Sequence, residues 1–307
     1  MLTRIIFLLC LCFSPLFAGI EQYFKKAEGK SSVHRMRNID FIYLINLDQR
    51  PEKYEQSIQE LAPYGIIPYR FSAVNGWEEL TYEALNDLGV KYQRGMRATK
   101  GTSYFPEDNG QPQHSLPMQN YGQTYFAHCL SWGAIGCCMS HLSVLQDAYH
   151  AGYETIWVIE DDIQIIRDPH TLSNLIDQLD RAVGKGRWDI LYTDRDTKNK
   201  EGNYVPCRAL AQRPNFTPRD PQIYKLQKRI NSDLRQIGAR YGTYSMIIRR
   251  SGMKKILDFL KTYHLFLPID LEIPLVPGIR QFTVTQDVVS TWHNAATDNG
   301  NPNYLNK

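Results

Sequence analysis

The sequence of 307 residues lacks several features that would place it in a common protein class. It contains neither the G-x-G-x-x-G fingerprint of dinucleotide-binding folds nor a glycine-rich phosphate-binding loop. These absences argue against an ordinary NAD-dependent enzyme and against a P-loop kinase. A large excess of positive charge is missing too, because the net charge is only +3, and we therefore predict no nucleic-acid partner. The remaining composition, 43% hydrophobic and 22% charged, suits a globular α/β chain.

A hydrophobic run long enough to span a bilayer comfortably is also missing, but residues 1–19 predict a targeting segment. Arg4 precedes a short apolar run, and the small residues Ala18 and Gly19 follow it. This order is typical of a secretory signal peptide that is cleaved after Ala18, or of an uncleaved signal anchor. We therefore predict an exported chain, whether secreted, periplasmic or lumenal. An uncleaved segment would associate the protein with a membrane.

Strand-like and helix-like segments alternate along the rest of the chain. The predicted strands cover 41–45, 66–71, 155–159, 188–192 and 244–248. The predicted helices cover 78–88, 134–150, 172–183 and 251–263, with another between Pro51 and Pro63. This alternation predicts an α/β fold with a mostly parallel sheet flanked by helices.

The domain organisation follows from the position of these segments. We predict a linker at 20–38, one domain at 39–295 and a C-terminal tail at 296–307. Two polar stretches near 92–127 and 198–228 interrupt the pattern as insertions. The first of them is either a functional lid or a peripheral addition.

Three carboxylates, Glu160, Asp161 and Asp162, directly follow the predicted strand at 155–159. Ligands of open α/β sheets bind beyond the carboxyl ends of the strands, so this is a candidate site. Neighbouring carboxylates raise one another's pKa values, and a divalent cation such as Mn²⁺ or Mg²⁺ would remove that penalty. If the strand continued, Glu160 and Asp162 would point to one side and Asp161 to the other. The alternative is that all three are solvated turn residues, or helix caps before Pro169.

A second group, Cys137, Cys138, Ser140 and His141, lies on the predicted helix at 134–150. Cys137 and His141 are one helical turn apart and share a face, which permits a zinc site with an unusual spacing. The alternatives are a core histidine, or Ser140 and His141 in contact with a bound nucleotide. Cys137 and Cys138 are predicted to be buried free thiols rather than disulfide partners.

A third group, Asn46 and Arg50, follows the first predicted strand. A strand that opens onto a helix N-terminus attracts anions, and Arg50 adds positive charge there.

Taken in order, the motifs resemble those of glycosyltransferase family 25, which includes bacterial lipooligosaccharide galactosyltransferases and procollagen galactosyltransferases. The matching segments are 43–50, 71–76, the G-x-x-G-C-x-x-S-H pattern at 133–141, Glu160–Asp162, 242–252 and 268–270. The resemblance extends from about Asp40 to about Ser290. Asn75 departs from it, because the family commonly has aspartate there, which leaves a contact of that carboxylate in doubt.

The resemblance implies a GT-A-like, Rossmann-type nucleotide-sugar-binding fold and a specific chemistry. A hexose, most plausibly galactose, would move from a UDP-sugar to a hydroxyl group of a glycan or protein acceptor with inversion. In this interpretation Glu160 and Asp162 hold Mn²⁺ or Mg²⁺, and Asp161 assists donor binding. The donor-site candidates are Asn46, Arg50, Ser140 and His141, and Asp270 is the candidate general base.

Two other functions remain open at this stage. The chain could be a catalytically inactive, secreted carbohydrate-binding or interaction protein on the same fold. It could also be a metal-dependent hydrolase that uses Glu160–Asp162.

Overall fold

The structure is a computed structural model, and it describes residues 19–108, 115–207 and 211–300. The predicted targeting segment therefore lies outside the described residues except for Gly19. Within the described part of the chain, no helix combines the length and the apolar character needed to cross a membrane.

Helices and strands alternate largely as the sequence predicts. The α-helices are α1 (Pro51–Leu61), α2 (Tyr82–Leu88), α3 (Trp132–His150), α4 (Thr171–Val183), α5 (Arg250–Tyr263) and α6 (Ile269–Glu272). The first eight strands are β1 (Phe41–Asn46), β2 (Tyr69–Ser72), β3 (Val90–Lys91), β4 (Lys100–Gly101), β5 (Leu116–Pro117), β6 (Thr124–Tyr125), β7 (Thr155–Glu160) and β8 (Ile163–Ile165). The others are β9 (Ile190–Tyr192), β10 (Gln227–Arg229), β11 (Leu234–Ile237), β12 (Ser245–Arg249), β13 (Gln281–Val284) and β14 (Val289–Thr291).

Eight strands form the central sheet in the order β10-β11-β13-β9-β12-β7-β1-β2. The predicted β1-α1-β2 unit is confirmed, because β1 pairs in parallel with both β2 and β7. The pairings make six of the eight strands point the same way, with β11 and β12 reversed. The sheet is therefore mixed and mostly parallel. Strand β12 lies between β7 and β9 and is antiparallel to both, so it enters the sheet at the edge where they end.

Helices cover both faces of the sheet. Alternate residues of β7 belong to two hydrophobic clusters, with Ile156 and Val158 on one face and Trp157 and Ile159 on the other. The apolar stripes of α3 and α5 bury the first face, whereas Leu61 of α1 and the stripe of α4 bury the second. This arrangement explains why β7 reads as a continuous apolar run.

The segments predicted as linker and insertions pack against the domain. In residues 20–38, Ile20 and Met36 are buried. In the described parts of 92–127, Tyr125 and Phe126 join the hydrophobic cluster of α3, and no residue of these parts lines the pocket described below. In the described parts of 198–228, Arg213 is buried against Glu272.

Candidate active site

A pocket opens at the edge of the sheet where β1, β2 and β7 end. Because these strands are parallel, with Ile45 opposite Glu160 and Asn46 opposite Ser72, the segments that follow them converge there. Strand β7 ends at Glu160, so the alternation of sides expected for a longer strand does not apply. Glu160, Asp161 and Asp162 all line the same pocket.

Glu160 is held by two neighbours. Thr243 Oγ1 donates a hydrogen bond of 2.8 Å to Glu160 Oε1, and His141 Nε2 lies 2.9 Å from the same oxygen. Burial alone would raise the pKa of Glu160, but the hydrogen bonds from His141 and Thr243 outweigh it and lower that pKa. His141 is buried and does not line the pocket, so its direct contact is Glu160.

Asp161 is fixed by the side chain of Asn46. Asn46 Nδ2 donates hydrogen bonds of 2.7 Å to Asp161 Oδ2 and 2.9 Å to the Arg50 carbonyl oxygen, and its Oδ1 accepts one from Arg70. Burial raises the pKa of Asp161 to about 6, against the opposing charge of Lys53. Asn46 thus lines the pocket, but its polar atoms are already used by the protein.

Asp162 carries the clearest sign of a ligand site. Its Oδ1 atom is buried and has no hydrogen-bond partner among the described residues. Burial and the charges of Glu160 and Asp161 raise the pKa of Asp162 to about 7. Buried carboxylate oxygens without partners are costly, and a hard divalent cation satisfies them. The buried, unpartnered Oδ1 of Asp162 therefore fits a hard divalent cation such as Mn²⁺ or Mg²⁺.

The two glycines at the start of α3 permit a close approach of the helix to the pocket loops. A Cβ atom at Gly136 would lie 2.5 Å from the Gly76 nitrogen and 2.6 Å from the Val74 carbonyl oxygen. A Cβ atom at Gly133 would lie 2.5 Å from the Asn299 carbonyl oxygen. The G-x-x-G spacing of the sequence motif therefore follows from packing.

Ser140 forms hydrogen bonds that hold the pocket loop after β2 against α3. Its hydroxyl accepts a hydrogen bond of 2.8 Å from the Val74 N–H and donates one of 2.8 Å to the Gly136 carbonyl oxygen. Nearby, Asn75 Oδ1 accepts the Trp77 N–H at 3.1 Å, and its Nδ2 donates to Glu78. An aspartate at position 75 could accept the hydrogen bond from Trp77 but could not donate one to Glu78. The contact with Glu78 therefore explains why asparagine fits at this position.

Arg50 lies beside the pocket rather than in its wall. It is buried, its Nε donates to Glu52 Oε1 at 2.6 Å, and its Nη1 forms an ion pair with Asp298. Lys53, one helical turn later, does line the pocket, and its Nζ lies 3.1 Å from Asp298 Oδ2 and 4.0 Å from Asp161 Oδ1.

Residues 296–299 form one wall of the pocket, although the sequence places them in the tail. Asp298 is buried between Arg50 and Lys53, and its carbonyl oxygen accepts the Trp77 indole N–H at 2.9 Å. Sequence reasoning missed Asp298 and Lys53. Lys53 could have been found from the sequence, because it lies in the first turns of a helix that follows a strand. Nothing in the sequence around Asp298 indicates that this residue reaches the pocket.

Asp270 lies close to this centre without lining the pocket. Its Oδ2 accepts the Gly242 N–H at 2.9 Å. Burial, together with the charge of Glu160, raises the pKa of Asp270 against the hydrogen bond from Gly242. The segment 242–244 thus contacts both Asp270 and Glu160, because Thr243 bonds Glu160 and the Tyr244 carbonyl oxygen accepts the Glu160 N–H.

An α/β sheet with an acidic pocket at the ends of its parallel strands is consistent with the GT-A-like class of glycosyltransferases. Within that class the chain belongs to glycosyltransferase family 25. Residues 39–273 match this family, which is described as glycosyltransferase family 25 (LPS biosynthesis protein).

Curated relatives support this membership at low identity. A "Glycosyltransferase 25 family member" of Aedes aegypti is 25% identical over 78% of this chain and 31% of its own length. "Procollagen galactosyltransferase 1" of Danio rerio is 23% identical over 77% of this chain and 31% of its own length. "Inactive glycosyltransferase 25 family member 3" of Homo sapiens is 26% identical over 53% of this chain and 23% of its own length. The chain thus spans about a third or less of the length of these relatives.

Proposed function

We propose that this chain transfers a hexose, with galactose as the first candidate, from a UDP-sugar to a hydroxyl group of a glycan or protein acceptor. The observation that carries the proposal is the unpartnered Oδ1 of Asp162 in a pocket that this residue shares with Glu160, Asp161 and Asp298. Family membership supports sugar transfer. The name of the zebrafish relative favours galactose and a protein acceptor, whereas the family description favours a lipopolysaccharide acceptor.

Asp162 and Glu160 would hold Mn²⁺ or Mg²⁺ in this proposal. A cation bound there neutralises the negative charge that develops on the departing nucleotide diphosphate. The chain's own residues then do the positioning. His141 and Thr243 fix the orientation of Glu160, and Asn46 fixes Asp161. Lys53 supplies positive charge inside the pocket for a diphosphate.

Asp270 is the proposed general base for an inverting displacement. The acceptor hydroxyl must lose its proton as it attacks the sugar, so a carboxylate with a raised pKa is suited to receive it. Burial raises the pKa of Asp270, and the Gly242 N–H, which donates to Oδ2 at 2.9 Å, fixes the orientation of the carboxylate. The base must lie within hydrogen-bond reach of the hydroxyl, and this distance is best measured in a complex with acceptor.

A screen for UDP release tests the proposal. The purified chain is incubated with a panel of UDP-sugars and acceptor glycans or peptides, with and without Mn²⁺. We expect release that depends on donor, acceptor and cation, and that is lost in Asp162→Asn. Release without any acceptor would instead favour a hydrolase.

A second candidate is an inactive binding protein on the same fold. Two observations support this candidate: a human relative is named inactive, and the guanidinium of Arg50 is paired with Asp298. No UDP release from any donor, together with measurable glycan binding by calorimetry, would favour this candidate.

Export through residues 1–19 and membrane association of an uncleaved segment remain part of the proposal. Cell fractionation with mass spectrometry of the mature N-terminus tests both, because cleavage after Ala18 predicts a chain that begins at Gly19.

A further inference from the structure

Cys137 and His141 of α3 face the carboxylate of Glu160. One ligand atom from each of these side chains lies within 4.8 Å of the other two. His141 Nε2 is already 2.9 Å from Glu160 Oε1. Cys137 and Glu160 line the pocket, whereas His141 is buried behind them. Sulfur, nitrogen and oxygen donors from two elements of the fold therefore meet at one point beside the pocket.

These donors differ from the ligands of a hard cation. A thiolate and an imidazole suit borderline-soft ions such as Zn²⁺ and Co²⁺, whereas Mn²⁺ and Mg²⁺ prefer carboxylates and water. Zinc binds such atoms at about 2.0–2.3 Å, so the three side chains would close in by on the order of 1 Å. Three protein ligands leave a fourth tetrahedral position, and the pocket side of Cys137 and Glu160 is where it would open.

Glu160 belongs to this group and also to the side of the pocket that Asp161 and Asp162 line, which we call the oxygen-rich side. Its Oε1 faces His141, and among the described residues no hydrogen bond uses its Oε2. Asp161 and Asp162 follow Glu160 on the oxygen-rich side. An ion held by Cys137 and His141 would therefore use Oε1 of Glu160, the same carboxylate that would offer Oε2 to the ion at Asp162.

We propose that Cys137, His141 and Glu160 form a binding site for a borderline-soft divalent ion of the zinc type, distinct from the oxygen-ligand site at Asp162. The sites share Glu160, so the two ions would be bound to one carboxylate. Binding at the first site needs no sugar transfer, and the proposal stands whether or not the chain is an active transferase.

Cobalt spectroscopy tests the site directly. The full chain is stripped with a chelator and titrated with Co²⁺, because a bound thiolate gives a near-ultraviolet charge-transfer band that water and carboxylates do not give. We expect this band in the wild type and its displacement by Zn²⁺. Cys137→Ser should abolish the band, and His141→Gln should weaken Zn²⁺ binding by roughly tenfold or more in competition with a chelating dye.

The matched control is Cys129→Ser, which removes an exposed thiol that lies outside α3. It should retain the band in full. The absence of a band in the wild type, its persistence in Cys137→Ser, or its equal loss in Cys129→Ser would each overturn the proposal. If Cys137→Ser does not fold, X-ray absorption of the zinc-loaded wild type decides, because a shell without sulfur also overturns it.

Discussion

Two aspartates follow strands that run in the same direction on either side of β12 and end at the same edge of the sheet, but their surroundings differ. Asp194 comes two residues after β9, and Asp162 comes two residues after β7. Asp194 is fully buried, pairs with Arg240 Nη1 at 2.7 Å, and accepts hydrogen bonds from Tyr244 and Ser290. Asp162 keeps one buried oxygen without a partner among the described residues.

This difference separates a structural carboxylate from a candidate functional one. The charge of Asp194 is matched by Arg240, so its interactions are complete within the fold. Asp162 instead is buried beside two other acids, and burial together with their charges raises its pKa to about 7. A site that is incomplete in the protein alone is suited to bind a positively charged ligand.

The largest effect is expected at Asp194. Asp194→Ala leaves the buried guanidinium of Arg240 without its counter-charge, which should lower the free energy of unfolding by about 3–5 kcal/mol. Urea denaturation measures this. The control is Asp177→Ala, which breaks an exposed pair with Arg37 and should cost about 1 kcal/mol or less. Equal losses in the two variants would mean that the Asp194 pair is not structural.

The next effect concerns Asp162. Asp162→Asn should lower the rate of sugar transfer by about 10²–10³-fold, or about 2.7–4 kcal/mol of transition-state stabilisation. Its unfolding free energy without metal should stay equal or rise, because a repulsive charge is removed. UDP-release kinetics and urea denaturation in chelator measure the two quantities. A stability loss as large as that of Asp194→Ala would erase the distinction between the two aspartates.

The smallest effect is expected at Asp298, which combines features of Asp194 and of Asp162. It is buried and paired like Asp194, yet it lies in the wall of the pocket. Asp298→Ala should cost about 1.5–3 kcal/mol of unfolding free energy, because Arg50 and Lys53 lose a charged partner. Glu52→Ala is the control, since Glu52 is the more exposed partner of Arg50 and should cost about 1 kcal/mol or less. A larger loss of unfolding free energy in Glu52→Ala than in Asp298→Ala would contradict the view that Asp298 is the more important partner of Arg50.

Periodicity predicted the strands and helices that are buried and apolar, and these build most of the central sheet. Strands β10, β11 and β13 were not predicted, because Gln227–Arg229 is wholly polar and Leu234–Ile237 has apolar residues only at its ends. The sequence also could not predict that β12 runs antiparallel to its neighbours. The apolar residues of a buried strand form the same pattern whichever way the strand runs. The direction of β12 is therefore known only from its pairing with β7 and β9.

The acidic part of the site was predicted because its residues are consecutive in sequence. Arg50 was predicted as a donor contact, whereas the structure places it outside the pocket in an ion pair with Asp298. That pair joins positions 248 residues apart. Charge pairs at such separations depend on the folded path of the chain, so spacing rules for helices and strands do not reveal them.

The reversal of β12 has a practical consequence for redesigning this protein. Residues 240–244, which lead into β12, touch Asp194 through Arg240, Asp270 through Gly242 and Glu160 through Thr243. One short segment therefore sets the geometry of three acids at once. Variant libraries of this protein should leave this segment constant, since an insertion here would disturb the buried Asp194 pair and the surroundings of Glu160 together.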